Sequence, residues 1–293
     1  MGKVSLTIDG TKVETREGTT VLRAAQARGI YVPNLCADPD LEPYGGCRLC
    51  LVEIEGVEGL PASCTTPVTE GMVVYTDTSR VNEVRRRIVE LLLSDHPENC
   101  LLCPKNQHCE LQKMAAYIGI NQQRFKKLER PPLIDSSNPF FIRDSSNCIL
   151  CGKCVRTCEE IQGVGALQIF NDGVSSRVIT AGDKPILESI CESCGQCVAK
   201  CPTGALMPKE FQWATKEVKT VCPYCGVGCG MYVAVRGDRI AGVRGAPESA
   251  VSKGSLCVKG QFGFDFVNHP DRLTLPLIKR NGELSEATWN EAL

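Results

Sequence analysis

Residues 148–158 read CILCGKCVRTC and residues 191–201 read CESCGQCVAKC. Both follow the spacing C-x2-C-x2-C-x3-C, and a spacing that recurs within one stretch marks a duplicated unit. Three cysteines at two-residue gaps on a tight loop can cap one face of a cubane-shaped cluster. The last ligand must then come from elsewhere. Iron–sulfur clusters take four ligands, mostly thiolates. Zinc favours two C-x2-C pairs, so it fits such a run poorly. Residues 143–210 are therefore expected to form a module with two clusters.

Working outward, the remaining cysteines fall into three more sets, and none of the nineteen is left over. Cys36, Cys47, Cys50 and Cys64 precede the duplicated runs. Cys100, Cys103 and Cys109 form a set of three with His96 just ahead of them. Cys222, Cys225, Cys229 and Cys257 come last. Counting His96 as the fourth member of its set gives five sites of four. His108 competes for that place, but it adjoins Cys109, which strains ligation by both. His269 reads as a surface residue. Disulfides are disfavoured by the odd cysteine count. They are disfavoured also by the absence of a basic-then-apolar signal in MGKVSLTIDGTKVET, which leaves a reducing cytoplasm as the expected compartment.

Net charge is −1, which points to no nucleic acid and no anionic membrane surface. No run of apolar residues is long enough for a transmembrane segment. Aromatic residues make up 5% of the chain, and modules with small cores of this kind usually need metal or disulfide staples.

The expected fold class is an α+β multi-module iron–sulfur protein. Residues 3–8 and 12–15 alternate apolar and polar around Asp9 and Gly10, a hairpin signal. Residues 19–29 read as a helix, with Thr19 or Thr20 as N-cap and Gly29 as its stop. Strands at 49–56 and 72–77 complete a β-grasp module over 1–78. Residues 80–93 read as an amphipathic helix with Val81, Val84, Ile88, Leu91 and Leu92 on its buried face. Arg85, Arg86 and Arg87 are expected on its solvated face. A second helix at Glu110–Ile118 completes a module over 79–120. Residues 121–142 read as a surface linker. Residues 216–267 should be a small β-rich module with strands within MYVAVRGDRIAGVRG. Residues 268–293 read as the truncated start of a catalytic domain, ending in the first turn of a helix.

These motifs carry resemblances. The two duplicated runs, with Pro202 after Cys201, resemble bacterial two-cluster ferredoxins, in which the fourth cysteine of each run ligates the other cluster. The resemblance implies one [4Fe–4S] on Cys148, Cys151, Cys154 and Cys201, and another on Cys191, Cys194, Cys197 and Cys158. YGGCRLCLVEI at 44–54 resembles the [2Fe–2S] module at the head of complex I large subunits and iron-only hydrogenases. Gly45 and Gly46 would let backbone amides approach the sulfurs. The His96 set resembles the cluster with one histidine and three cysteines in the same families, and imidazole in place of thiolate should raise its potential. TVCPYCGVGCG at 220–230 and SLCVKG at 255–260 look like the start of the molybdopterin oxidoreductase family. Lys259 matches that family's lysine between cluster and pterin, where it would help to hold the cofactor; its bland alternative is a solvated surface lysine.

In order, the modules resemble the N-terminal iron–sulfur part of the catalytic subunit of cytoplasmic NAD(P)-linked formate dehydrogenases. That implies one [2Fe–2S], four [4Fe–4S] and a molybdenum or tungsten pterin on a missing domain or another chain. The partners implied are a flavin- and NAD(P)-binding diaphorase-type subunit or a ferredoxin, and a catalytic pterin or other redox subunit. Residues 226–230 (GVGCG) belong to a cysteine loop and not to a dinucleotide fingerprint. No residue of the chain reads as transforming an organic substrate. Two alternatives stand beside this reading: an electron-transfer subunit of a complex I-like or hydrogenase complex, and a structural zinc protein.

Overall fold

The segments KVSLTI and TKVETR pair as β1 (Lys3–Ile8) and β2 (Thr11–Arg16), antiparallel, with Ile8 opposite Thr11. The turn between them has φ of 47° at Asp9 and 79° at Gly10, as a two-residue type I′ hairpin requires. The computed structural model describes residues 2–122, 124–128, 133–210 and 214–293. It comprises two compact units, Met1–Lys209 and Glu210–Leu293, both mixing helix and strand.

In the first unit, α1 (Val21–Ala27) begins where the Thr20 hydroxyl accepts the Arg23 amide. It lays Val21, Leu22, Ala24 and Ala25 against Leu6, Ile8 and Val13 of the hairpin. β3 (Glu53–Ile54) and β4 (Val73–Tyr75) complete a sheet of order β2-β1-β4-β3, with β1 and β4 parallel. Both strands are shorter than the expected 49–56 and 72–77. Chain on the way into β3 is used by the cysteine loops: Ser63 donates both its amide and its hydroxyl to the Cys50 carbonyl.

Helix α2 (Ser79–Ser94) is capped by the Thr78 hydroxyl. Its buried side chains are Val81, Arg85, Val89, Glu90 and Ser94, whereas Leu91 is 52% exposed. The expectation of a solvated arginine face therefore holds for Arg87, which pairs with Glu83, and fails for Arg85. Arg85 is 1% exposed and donates to the carbonyls of Leu49 and Leu51. Arg86 donates to the carbonyls of Ile118 and Gly119 at the end of α3 (Glu110–Ile118). A guanidinium counts as polar in a helical pattern, yet its apolar stem buries well and its planar fork suits paired acceptors.

The expected linker at 121–142 is more structured than its composition suggests; its residues 123 and 129–132 lie outside the described residues. Arg124 makes a bidentate bond to buried Glu90, and the Leu128 amide donates to the Ser94 carbonyl. Farther on come β5 (Ile134–Asp135) and β6 (Phe141–Asp144), which pair antiparallel. Phe141 is 1% exposed. The Asn and Ser residues that read as linker instead close local turns: Asn138 accepts the Phe140 and Phe141 amides, and Asp135 accepts that of Ser137.

The duplicated runs supply α4 (Lys153–Arg156) and, after the hairpin β7 (Leu167–Phe170) and β8 (Arg177–Thr180), α5 (Gln196–Lys200). β9 (Leu206–Pro208) then pairs with β6.

The second unit opens with an antiparallel sheet of β10 (Lys216–Val221), β11 (Gly230–Arg236) and β12 (Arg239–Gly245). β10 leaves no signal in the sequence pattern, because all six of its residues are exposed and no face alternates. Short helices α6 (Val258–Phe262) and α7 (Asp265–Asn268) follow. The unit ends with the hairpin β13 (Leu277–Arg280) and β14 (Glu283–Glu286), then α8 (Trp289–Ala292) under a capping box of Thr288 and Glu291. Among the described residues, no helix is long and apolar enough to cross a membrane.

Candidate metal centres

The duplication is written into the backbone. Leu150 and Ser193 have φ of 53° and 58°, and Gly152 and Gly195 have φ of 71° and 76°. In that conformation the Leu150 amide donates to the Cys148 sulfur and the Ser193 amide to the Cys191 sulfur, each at 3.4 Å. The left-handed glycines then start α4 and α5. The runs part only near their fourth cysteines. Cys158 lies in a single π-turn, Thr157–Ile161, where the Ala166 amide donates to its sulfur at 3.2 Å. Cys201 leaves α5 extended.

The result is an exchange. Cys148, Cys151, Cys154 and Cys201 line one cavity; Cys158, Cys191, Cys194 and Cys197 line another. Burial pushes the Cys148 thiol up to about 11 and the Cys151 thiol up to about 12, with neighbouring cysteines adding to the effect. It pushes Cys154 and Cys197 well above the ordinary thiol value for the same reasons. Sulfurs crowded this way need a cationic core to become thiolates, which is the condition a bound cluster meets.

His96, Cys100, Cys103 and Cys109 line a third cavity. His108 is exposed and does not line it. The His96 Nδ1 is buried and has no hydrogen-bond partner, as a nitrogen reserved for a metal would be. Burial, followed by the nearby Lys127 charge, holds its imidazole down at about 4, so it is neutral near pH 7 with a lone pair to give. Lys127, which no sequence motif singles out, donates to the His96 carbonyl and fixes this corner of the chain. Gly204 leaves room on the far side: a Cβ there would lie 2.9 Å from the Cys103 sulfur.

Around the first set the thiols touch one another. The Cys36 thiol is drawn down to about 2 by hydrogen bonds from Cys47 and Cys64, then by the Cys47 and Gly46 amides. Cys50 is drawn down to about 6, chiefly by Cys64, while Cys47 and Cys64 are pushed up as the donors of those bonds. The Gly46 amide thus approaches a sulfur as expected. Gly46 has a second use, since a Cβ there would collide with the Tyr44 ring. The same ring lies 3.2 Å from where a Cβ on Gly152 would be, so it fills space between two cysteine loops.

In the second unit, Cys222 packs with Met231 and Leu256, and its amide donates to the Cys229 carbonyl. The Cys229 thiol is raised by burial and by Cys222, Cys225 and Cys257, which places the four within electrostatic reach. Cys225 and Cys257 are exposed, so this set opens to one side. Lys259 is exposed in the first turn of α6, two residues beyond Cys257. Among the described residues, no three His, Cys, Asp or Glu side chains converge as they would around one ion.

Four family models match the chain in series. They are a 2Fe-2S iron-sulfur cluster binding domain at 2–79, the NADH-ubiquinone oxidoreductase-G iron-sulfur binding region at 85–124, a 4Fe-4S dicluster domain at 147–205 and the molybdopterin oxidoreductase Fe4S4 domain at 215–269. A G-type subunit of NADH-quinone oxidoreductase from Rhizobium meliloti is 39% identical over 99% of this chain and 34% of its own length. The alpha subunit of NADPH-Fe(3+) oxidoreductase from Geobacter sulfurreducens is 37% identical over 99% of this chain and 34% of its own. A putative formate dehydrogenase of Bacillus subtilis is 34% identical over 99% and 34%. The chain thus spans about a third of the length of these curated relatives. A solved chain of an NAD+-reducing [NiFe]-hydrogenase is 32% identical with a TM-score of 0.65, covering 73% of this chain and 90% of that one.

Proposed function

The chain belongs to the family that joins the iron–sulfur domains of the NADH-quinone oxidoreductase G-type subunits with those of molybdopterin oxidoreductases, and from that premise we propose that it relays single electrons among one [2Fe–2S] and four [4Fe–4S] clusters. The ligand sets are Cys36, Cys47, Cys50 and Cys64 for the binuclear core, in a β-grasp module. For the tetranuclear cores they are His96 with Cys100, Cys103 and Cys109; Cys148, Cys151, Cys154 and Cys201; Cys191, Cys194, Cys197 and Cys158; and Cys222, Cys225, Cys229 and Cys257. The observation that carries this reading is the exchange of Cys158 and Cys201 between two four-cysteine cavities.

Bound clusters supply the electron uptake and release. The protein holds their sulfurs and sets their potentials. Amides of Leu35, Cys47, Leu150, Ala166 and Ser193 donate to cysteine sulfurs, which spreads negative charge and favours reduction. The neutral His96 imidazole does the same by leaving its site one thiolate short.

The exposed side of the Cys222–Cys257 set, with Lys259 beside it, faces a molybdenum or tungsten pterin site of formate dehydrogenase type. The other end meets a flavin- and NAD(P)-binding subunit or a ferredoxin. A second reading, service in an NADH-quinone oxidoreductase or hydrogenase assembly, is favoured by the 39% identity to the Rhizobium meliloti protein. Iron and acid-labile sulfide near about 18 of each per chain are expected from the cluster stoichiometry, with brown absorption bleached by dithionite. Stoichiometric zinc with little sulfide refutes the relay in both forms.

A further inference from the structure

Two buried arginines grip the binuclear site, and both come from outside its sheet module. Arg85 of α2 donates its Nε to the Leu49 carbonyl at 2.9 Å and an Nη to the Leu51 carbonyl at 2.8 Å. Those carbonyls flank Cys50. Arg156, at the end of α4, donates to the Cys36 carbonyl at 2.6 Å and to the Glu42 carbonyl at 2.7 Å, and its guanidinium lies over the Tyr44 ring. Arg85 is 1% exposed and Arg156 9%. Among the described residues, neither makes an ion pair, although Arg86 is satisfied at a helix end and Arg87 by a carboxylate.

A buried guanidinium whose hydrogen bonds all go to neutral carbonyls is costly, because its charge has lost water and touches no counter-ion; Asp77 and Asp9 act on Arg85 only from beyond ion-pair distance. What both groups share is a hold on the backbone of one cysteine set, Arg85 on the carbonyls that flank Cys50 and Arg156 on that of Cys36. Four thiolates around a [2Fe–2S] core leave it net negative, and reduction adds one more negative charge. We propose that Arg85 and Arg156 are positioning residues of the binuclear site, fixed positive charges that hold the Cys50 and Cys36 loops and favour its reduced state. The charges come from the two modules that follow, so the site is completed by chain far from its own ligands. Lys153 and Lys200 strengthen the second grip through Asp38, whose carboxylate lies 3.7 Å from one and 2.7 Å from the other. This inference rests on the binuclear core residing at Cys36, Cys47, Cys50 and Cys64.

The test is a redox titration of the loaded full chain, with the binuclear core followed by electron paramagnetic resonance. Arg85→Met and Arg156→Met should each lower its midpoint so that, at the wild-type midpoint, the reduced-to-oxidised ratio falls about tenfold, or 59 mV for a one-electron couple. Arg85→Lys and Arg156→Lys keep the charge and should shift it less, while Arg87→Met should leave it in place. An unmoved midpoint in the Met variants, or an equal shift with Lys and Met, overturns the inference. Where a Met variant fails to retain the core, recovery of the core by Lys supports the inference and failure of Lys to recover it overturns it. A wild-type chain with no binuclear signal refutes the relay itself and is a separate outcome.

Discussion

The exchange of Cys158 and Cys201 can be read by counting iron. Cys148 and Cys201 line one cavity, and Cys158 lines the other with Cys191, Cys194 and Cys197. On the proposed ligation each cluster there would hold about four irons of about 18 per chain. Cys148→Ala and Cys201→Ala should each remove the same cluster, so the double variant should lose no more than either single one, about four irons. Cys148→Ala with Cys158→Ala strikes both clusters and should lose about twice as much, roughly eight. If each run instead ligated its own cluster, the two double variants would trade outcomes. The comparison uses additivity and not the absolute loss, so it holds even where a three-cysteine site keeps part of its iron. Iron per chain and integrated spins of the reduced protein are the assays. Additive loss in the Cys148/Cys201 pair refutes the exchange.

His96→Ala should cost the cluster of Cys100, Cys103 and Cys109, about four irons, whereas His108→Ala should cost none; equal losses would mean that His96 is not the distinctive ligand. Partial desolvation of the half-exposed ring, then Tyr117 and Glu110, push the Tyr31 phenol above its ordinary 10.0. The folded chain therefore holds that proton longer than the unfolded chain. The associated stability is full below pH 10 and is lost as pH rises through the folded value. Thermal unfolding from about pH 8 to 11 should show a gentler alkaline decline in Tyr31→Phe than in wild type; identical declines would show that Tyr31 contributes nothing.

The sets of cysteines that share a cavity were legible because clusters demand few residue types at fixed spacing. Cys148 through Cys158 and their repeat announce themselves in one dimension, and so does the shortage of one thiolate that singles out His96. The hairpin at Asp9 and Gly10 and the cap at Thr20 were equally local. What escaped depends on partners far along the chain. Arg85 reads as surface until the carbonyl of Leu51, 34 residues away, is seen to receive it. Arg156 and Lys127 have no motif, since a backbone carbonyl leaves no mark on sequence. Tyr44 could be suspected only from the glycines that admit its ring. Residues 134–142 were misjudged because turn-forming Asn and Ser look alike in a linker and in a tight loop between strands.

The grip of Arg156 on the Cys36 carbonyl also sets a clock. Those residues are 120 apart, and a ribosome adds roughly 5–20 residues per second. Cys36, the first of the proposed binuclear ligands, therefore emerges about 6–24 s before the arginine that holds its carbonyl. A core inserted during synthesis would meet this loop before Arg156 can hold it. On the proposed ligation, the site encoded first is one whose Cys36 loop is fastened only after 120 further residues have been made.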